Sequence, residues 1–331
     1  MSMLYVHGMG HFHPENVITN RFLEEMDIGT SDAWIMERVG IETRRTVLPL
    51  DYIKETKNRD PRAAFAAGLY NNAQTGAAAA RMALERAGLT KQDIGLVISG
   101  SSAADNVSPA EASTVAAELE IDVPCIDMNS ACTSFGMQVH FVSLMRPEAL
   151  PPYILLVNPE NLTRCVDYSD RKSAVLFGDG SSAAIVSATV PARASFTSCA
   201  YESKPTDWDK VGIPRMGYFQ QDGNAVQGFA IRKTTESIRM LQKSYAVNGN
   251  RFLFIGHQAN LGMLETVCER SGITRNNHWH NVEYFGNTGC SGAPTVLSQH
   301  WDDLRGGDHV AIAIVGAGLS WVHMILQVRE H

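Results

Sequence analysis

Three islands of this sequence carry residue types suited to chemistry. Cys132 lies in Pro124-Cys125-Ile126-Asp127-Met128-Asn129-Ser130-Ala131-Cys132-Thr133-Ser134-Phe135-Gly136. An apolar extended segment enters, small residues follow, and a helix-like stretch from Gln138 to Met145 leaves. A thiol at a strand-to-helix turn meets unpaired backbone N–H groups and the positive end of a helix dipole. Both favour the nucleophilic thiolate, and small neighbours let a carbonyl approach. The competing reading is a buried cysteine acting as a small hydrophobe. In the second island, Phe252-Leu253-Phe254-Ile255-Gly256-His257-Gln258-Ala259-Asn260, a strand delivers His257 to a turn beside two amides. The third, Tyr284-Phe285-Gly286-Asn287-Thr288-Gly289-Cys290-Ser291-Gly292-Ala293, presents Asn287 from a glycine-rich loop. Strand ends opening into such turns are where α/β proteins hold functional side chains. Each has a plainer alternative: a structural histidine, and an asparagine tolerating positive φ. Gly316-Ala317-Gly318 has one too, as a tight turn between core strands.

The elements that must hold these residues follow from the rest of the chain. Its 331 residues are 44% hydrophobic and 19% charged, enough to bury a large core and too apolar for disorder. The net charge of −7 comes without a dense Lys/Arg run, which argues against nucleic acid as a partner. Six cysteines without CxxC spacing argue against a disulfide framework and against a metal site, and suit a reducing cytoplasm. The N-terminus reads as a first strand rather than a signal peptide. The most apolar stretch, Val310–Leu326, is interrupted by Gly316, Gly318, Ser320, Trp321 and His323, so it reads as strand–turn–strand and not as a membrane span.

Helical and extended patterns alternate. Helices are expected at Thr75–Ala87, Glu111–Leu119, Thr234–Val247, Leu261–Gly272 and Ala293–His300. Extended segments are expected at Ile94–Ser99, Tyr153–Asn158, Ala174–Phe177, Ala183–Ser187, Ser195–Ala200, Ala230–Lys233, Phe252–Ile255 and Val282–Tyr284. This rhythm predicts an α/β fold with buried sheets in two βα-rich halves, residues 1–190 and 191–331. Asp51–Gln74 departs from it as an inserted helix–loop element, either a cap over a site or a longer surface connection.

Taken together, Asn-Ser-Ala-Cys-Thr-Ser-Phe, His-Gln-Ala-Asn, Gly-Asn-Thr and the C-terminal Val-Gly-Ala-Gly-Leu-Ser-Trp stand in an informative order. So do His13–Asn20, Thr30–Ile41, Tyr168–Arg171 and Phe177–Gly180 upstream. The set resembles the β-ketoacyl-ACP synthase III family of thiolase-fold condensing enzymes, over essentially the whole chain except 51–74. The resemblance implies two similar halves in a five-layer αβαβα body, a homodimer, and no cofactor beyond CoA or ACP thioester substrates. It implies that Cys132 is acylated by an acyl-CoA or acyl-ACP, with the oxyanion held by its own N–H and that of Gly318. A malonyl-ACP or malonyl-CoA then loses CO2 while His257 and Asn287 stabilise the enolate. Trp34, Arg171, Thr30 and Arg38 would form the CoA nucleotide site, and Gly223, Asn224 and Asn260 would bind the pantetheine. The two-histidine pattern of elongation synthases is not met, and Glu111 is the candidate for relatives with a catalytic glutamate.

Three departures bear on the substrate. Ser108 stands where the family carries an aromatic closing the acyl pocket, Gln227 replaces an aromatic gate, and Gly262 replaces a carrier-docking arginine. An acyl donor longer or bulkier than acetyl is therefore expected. The alternatives are acyl transfer to an oxygen or nitrogen nucleophile without decarboxylation, and a non-catalytic partner subunit.

Overall fold

The computed structural model describes residues 2–246 and 249–330. The first half of the chain supplies β1 (Leu4–Phe12), β2 (Asn16–Thr19), β3 (Thr43–Thr46), β4 (Ile94–Ser99), β5 (Cys125–Asp127), β6 (Tyr153–Asn161) and β7 (Asp179–Ser187). Its helices are α1 (Asn20–Glu25), α2 (Asp32–Val39), α3 (Leu50–Thr56), α4 (Pro61–Ala67), α5 (Asn72–Ala87), α6 (Glu111–Glu118), α7 (Ser134–Leu144) and α8 (Arg171–Ala174). The second half supplies β8 (Ala194–Ser203), the short pair β9 (Val211–Gly212) and β10 (Gln220–Gln221), β11 (Phe252–Gly256), β12 (His309–Gly316) and β13 (Ser320–Val328). With them come α9 (Gly223–Tyr245), α10 (Leu261–Ser271), α11 (Val282–Phe285) and α12 (Gly292–Gln299).

Nine strands form one sheet in the order β11-β12-β13-β8-β1-β7-β6-β4-β5. In the first half β6 runs parallel to β4 and antiparallel to β7, which pairs antiparallel with β1. The second half repeats this with β12 parallel to β11, β13 antiparallel to β12, and β8 antiparallel to β13. The two halves join where β1 meets β8, Leu4 opposite Phe196 and Val6 opposite Ala194.

Side chains alternate across a strand, so apolar runs such as Tyr153–Asn158 must find partners on both faces. Ile98 and Leu156 point to a central core with Phe135, Val139 and Val142 of α7 and Val296 and Leu297 of α12. From the second half Leu253, Ile255 and Ile312 reach the same core. Their neighbours Val97 and Leu155 face outward onto α5 and α6. Phe252, Phe254 and Ala311 face Ile238 and Leu241 of α9 and Leu264 and Val267 of α10. The layers are thus helix, sheet, helix, sheet, helix, as the resemblance implied.

The α5 helix touches β1 almost backbone to backbone, because Ala79, Ala80 and Ala83 present little side chain. A Cβ added at Gly10 would clash with the carbonyl oxygen of Ala79 and the amide of Ala83. Both contacts are main chain, so nothing flexible can yield. Gly10→Val is expected to cost about 3 kcal/mol of stability, read by chemical denaturation. An unchanged midpoint would mean that α5 is free to move outward.

Three extended segments take other forms. Ala230–Lys233 lies inside α9, whose start is fixed by Asp222 accepting from the Ala225 amide. The expected helix Thr234–Val247 belongs to the same element, and Val247 lies outside the described residues. Val282–Tyr284 forms α11, stopped by Gly286 at φ 65°. Ala174–Phe177 is the end of α8 and a turn, mostly buried, with Phe177 joined to Asn287 by an isolated bridge rather than lying in a strand. A short apolar run signals burial without fixing the backbone. Asp51–Gln74 folds as α3, α4 and the capped start of α5, where Asn71 and Gln74 form a capping box. Phe65 of this segment lies under the Arg164 guanidinium, 4.3 Å from the ring centre.

Candidate active site

Cys132 occupies the turn between β5 and α7. Ala131 holds φ 48°, a conformation uncommon for a residue with a Cβ. Small polar side chains fix it: the Ser130 amide donates to Ser134 Oγ, the Ala131 amide to Asn129 Oδ1, and Thr133 Oγ1 to the Ser130 carbonyl. The thiol therefore sits one residue ahead of the first turn of α7, as its sequence setting predicted. Its ionisation differs from expectation. Walls close around the sulfur although the residue keeps partial access to a cavity, and burial, reinforced by the Glu160 carboxylate, pushes the thiol up to about 12. The helix end does not outweigh desolvation here.

His257 follows β11 directly. Gln258 pins the turn, donating to the Gly256 carbonyl and accepting from the Asn281 amide. Burial pulls the His257 imidazole down to about 4, so it is neutral at physiological pH. Its Nδ1 is buried without a partner among the described residues. A bare lone pair costs less there than a stranded N–H, which assigns the ring proton to Nε2.

Asn287 is held by both main-chain groups. Its amide donates to the Leu176 carbonyl, and its carbonyl accepts from the Gly178 amide. The side-chain Oδ1 accepts from the Gly289 amide at 3.0 Å, leaving Nδ2 as the free donor.

These three residues line one cavity of about 890 Å³, together with Trp34, Arg38, Gly223, Asn224, Gln227 and Asn260. Gly316, at the end of β12, packs directly on the nucleophile: a Cβ there would lie 3.2 Å from the Cys132 amide nitrogen. Gly316 and Ala317 line the cavity, whereas Gly318, at φ 131°, turns toward Ser320. The close approach to Cys132 is made by Gly316, two residues before Gly318, whose N–H is the expected oxyanion donor. Asn260 uses its side chain structurally, capping α10 through Met263 and donating to the Arg38 carbonyl. Arg171 lies over the Trp34 ring at 4.9 Å and donates to the Gly29 carbonyl. Thr30 stands just before the Ser31 cap of α2 and, like Arg171, outside the cavity lining.

Ser108 is exposed, joined by a cis bond to Pro109, and does not reach the cavity of its own chain. Gln227 does line it, but two residues on so does Phe229, and Phe177 and Phe219 add a T-shaped aromatic pair with centroids 4.5 Å apart. No residue of segment 51–74 lines this cavity. Glu111 is buried at the start of α6, accepting from Asn72 Nδ2 and the Asp105 amide, and also lies outside the cavity lining. Burial pushes its carboxyl up to about 7. Sequence reasoning missed Glu160, fully buried on β6 and accepting from the Cys290 amide of the Asn287 loop. The available signal was a carboxylate inside the apolar run of β6.

The family described as 3-oxoacyl-[acyl-carrier-protein (ACP)] synthase III matches residues 126–205, and its C-terminal counterpart matches residues 250–328. The chain is 28% identical over 342 residues to beta-ketoacyl-[acyl-carrier-protein] synthase III of Coxiella burnetii, covering 99% of this chain and all of that one. The 3-oxoacyl-[acyl-carrier-protein] synthase III of Aquifex aeolicus superposes with a TM-score of 0.86 at 25% identity, covering 98% and 99% of the two chains. That of Pseudomonas aeruginosa superposes at 0.84 with 26% identity, covering 100% and 99%. The molecule is a thiolase-fold condensing enzyme, a transferase. The family matches in both halves, with these relatives and structures, support the 3-oxoacyl-ACP synthase III family for this chain. No helix among the described residues is long and apolar enough to cross a membrane.

Proposed function

We propose that this enzyme joins an acyl group carried on Cys132 to a malonyl thioester by decarboxylative Claisen condensation. The observation that carries the reading is the convergence of Cys132, neutral His257 and the free Asn287 Nδ2 on one cavity. In the first step Cys132 Sγ attacks the carbonyl carbon of an acyl-CoA or acyl-ACP. The thioester C–S bond breaks, and the cysteine proton ends on the released thiol. The oxyanion is held by the Cys132 N–H in the pocket it shares with Gly316. In the second step the bond from the malonyl carbon to its carboxylate breaks and CO2 leaves. His257 Nε2–H and the Asn287 amide donate to the resulting enolate oxygen. The enolate carbon attacks the acyl-cysteine, and the C–S bond to Cys132 breaks, giving a 3-oxoacyl thioester and the Cys132 thiolate, which takes a proton from solvent to return to the thiol.

The cavity volume is near the upper end of the range for small-molecule sites. Trp34, Arg38, Gly223 and Asn224, expected to bind CoA, share that volume, so an acyl donor longer or bulkier than acetyl rests on the apolar walls Val211, Leu319 and Phe229, which suit an alkyl chain. A chain-length ladder of acyl-CoAs, read by intact mass, is expected to give its strongest Cys132 adduct above acetyl. Labelling by acetyl-CoA alone would overturn that assignment. Release of CO2 from a malonyl thioester separates condensation from transfer to oxygen or nitrogen. A homodimer is part of the proposal: β5 is an edge strand of the sheet, Ile126 on it is 44% exposed, and Val107 is exposed as well.

A further inference from the structure

No residue of segment 51–74 lines the cavity, yet the segment holds part of its wall. Its α3 runs into Lys57 and Asn58, both at φ 51°, a conformation uncommon for residues with a Cβ and one that asparagine tolerates better than most. Asn58 is fully buried. Its Nδ2 donates to the carbonyls of Arg164 and Val166 in the turn after β6, each at 2.9 Å. Its Oδ1 accepts from the Tyr52 hydroxyl, and its amide donates to Thr56 Oγ1. Its carbonyl accepts from the Tyr218 hydroxyl at 2.6 Å. The Cys165 carbonyl, between the two that Asn58 clasps, accepts from the Phe219 amide at 2.9 Å. Residues 218 and 219 are thus held at one node, and Asn58 supports both of their acceptors.

The hairpin that carries them needs such support. β9 and β10 pair with each other, apart from the main sheet, and no residue from 204 to 221 is buried. A lone two-stranded hairpin is marginal in water. Among the described residues, its other hydrogen bond to the rest of the chain joins the Lys204 amide to the Leu319 carbonyl, at the start of the hairpin. Yet Val211, Phe219 and Gln220 line the cavity, with Phe219 set against Phe177. The place of an apolar wall therefore depends on a node that lies outside the cavity.

We propose that Asn58 and Tyr218 are positioning residues for acyl selectivity: segment 51–74 braces the hairpin bearing Val211 and Phe219, and so fixes the width of the cavity without entering it. The proposal rests on Cys132 being the acyl carrier. One phenol hydrogen bond on a half-exposed hairpin changes how often that wall opens, not whether the protein folds.

Tyr218→Phe removes the hydroxyl and keeps the ring. In the full chain, amide hydrogen exchange over residues 211–221 is expected to quicken about fivefold. Rates of Cys132 acylation along a ladder of acyl-CoAs, read by intact mass, are expected to level out, the preference for the best chain over the poorest falling about fivefold. Alkylation of Cys132 by iodoacetamide, which needs no acyl pocket, is expected to keep its rate. Tyr70→Phe is the control: it removes a phenol hydrogen bond of the same segment, made to Glu15 rather than to the hairpin, and should leave both readings at the wild-type level. Unchanged exchange in Tyr218→Phe would overturn the proposal, as would faster exchange with an unmoved preference, or equal losses in the two variants. A wild type that takes no acyl group from any acyl-CoA would remove the condensing role, and exchange over 211–221 would still decide the brace.

Discussion

Cys132→Ala is expected to take up no acyl group from any acyl-CoA and to lose condensation by about 10⁴-fold or more, the scale seen when a covalent nucleophile is removed. The substitution removes one sulfur from a turn held by Ser130, Ser134 and Thr133 rather than by the thiol, so the fold should survive. Intact mass after incubation with acyl-CoA gives the first readout and product formation the second. An acyl adduct persisting on the alanine variant would place the acyl carrier elsewhere. Slow CO2 release from a malonyl thioester should remain in this variant, because His257 and Asn287 are untouched.

The complementary result concerns the two donors. His257→Ala and Asn287→Asp are expected to retain Cys132 acylation while condensation falls about 10²–10³-fold, the usual effect of removing one oxyanion donor. Aspartate keeps the shape of Asn287 but replaces its free Nδ2 with an acceptor, which opposes a developing enolate charge. Because burial holds the His257 imidazole at about 4, this donor stays in its neutral form as pH falls from 7 toward 5. Decarboxylation by the wild type should therefore show no loss through that range from titration of an ordinary imidazole. Parallel loss of acylation and condensation in both variants would assign the pair to the first step instead.

Much of the site was legible because its residues sit in local contexts with a mechanism. Gly-His-Gln-Ala-Asn and Phe-Gly-Asn-Thr-Gly announce strand ends and turns, and a strand end is fixed by its own few residues. Layering was legible too, since Tyr153–Asn158 and Phe252–Ile255 are apolar on both faces. What depends on long-range geometry was not. Gly318 and Gly316 differ by two positions in one turn, and which of them backs onto Cys132 is decided by the packing of β12 against α7's start. The thiol's ionisation was misjudged for the same reason. A helix end is visible in sequence, whereas burial and a carboxylate arriving from β6 are not. Ala230–Lys233 failed differently, as four residues are too few to distinguish strand from the middle of a long helix.

The junction at β1 bears on how the molecule is made. This strand precedes β7 and β8 by well over a hundred residues in the chain, yet Leu4 must meet Phe196 and Tyr5 must meet Ser187. The first half can pair β1 with its own β7, but the other edge of β1 is filled only by β8 of the second half. An N-terminal unit formed during synthesis therefore carries an open edge until β8 arrives. Pairings between such distant residues carry a large loop-closure cost before they return any stabilisation, and they slow folding. Until β7 and β8 have been translated, β1 exposes unsatisfied edges on both sides. A strand made ahead of both its neighbours thus has its surroundings completed late.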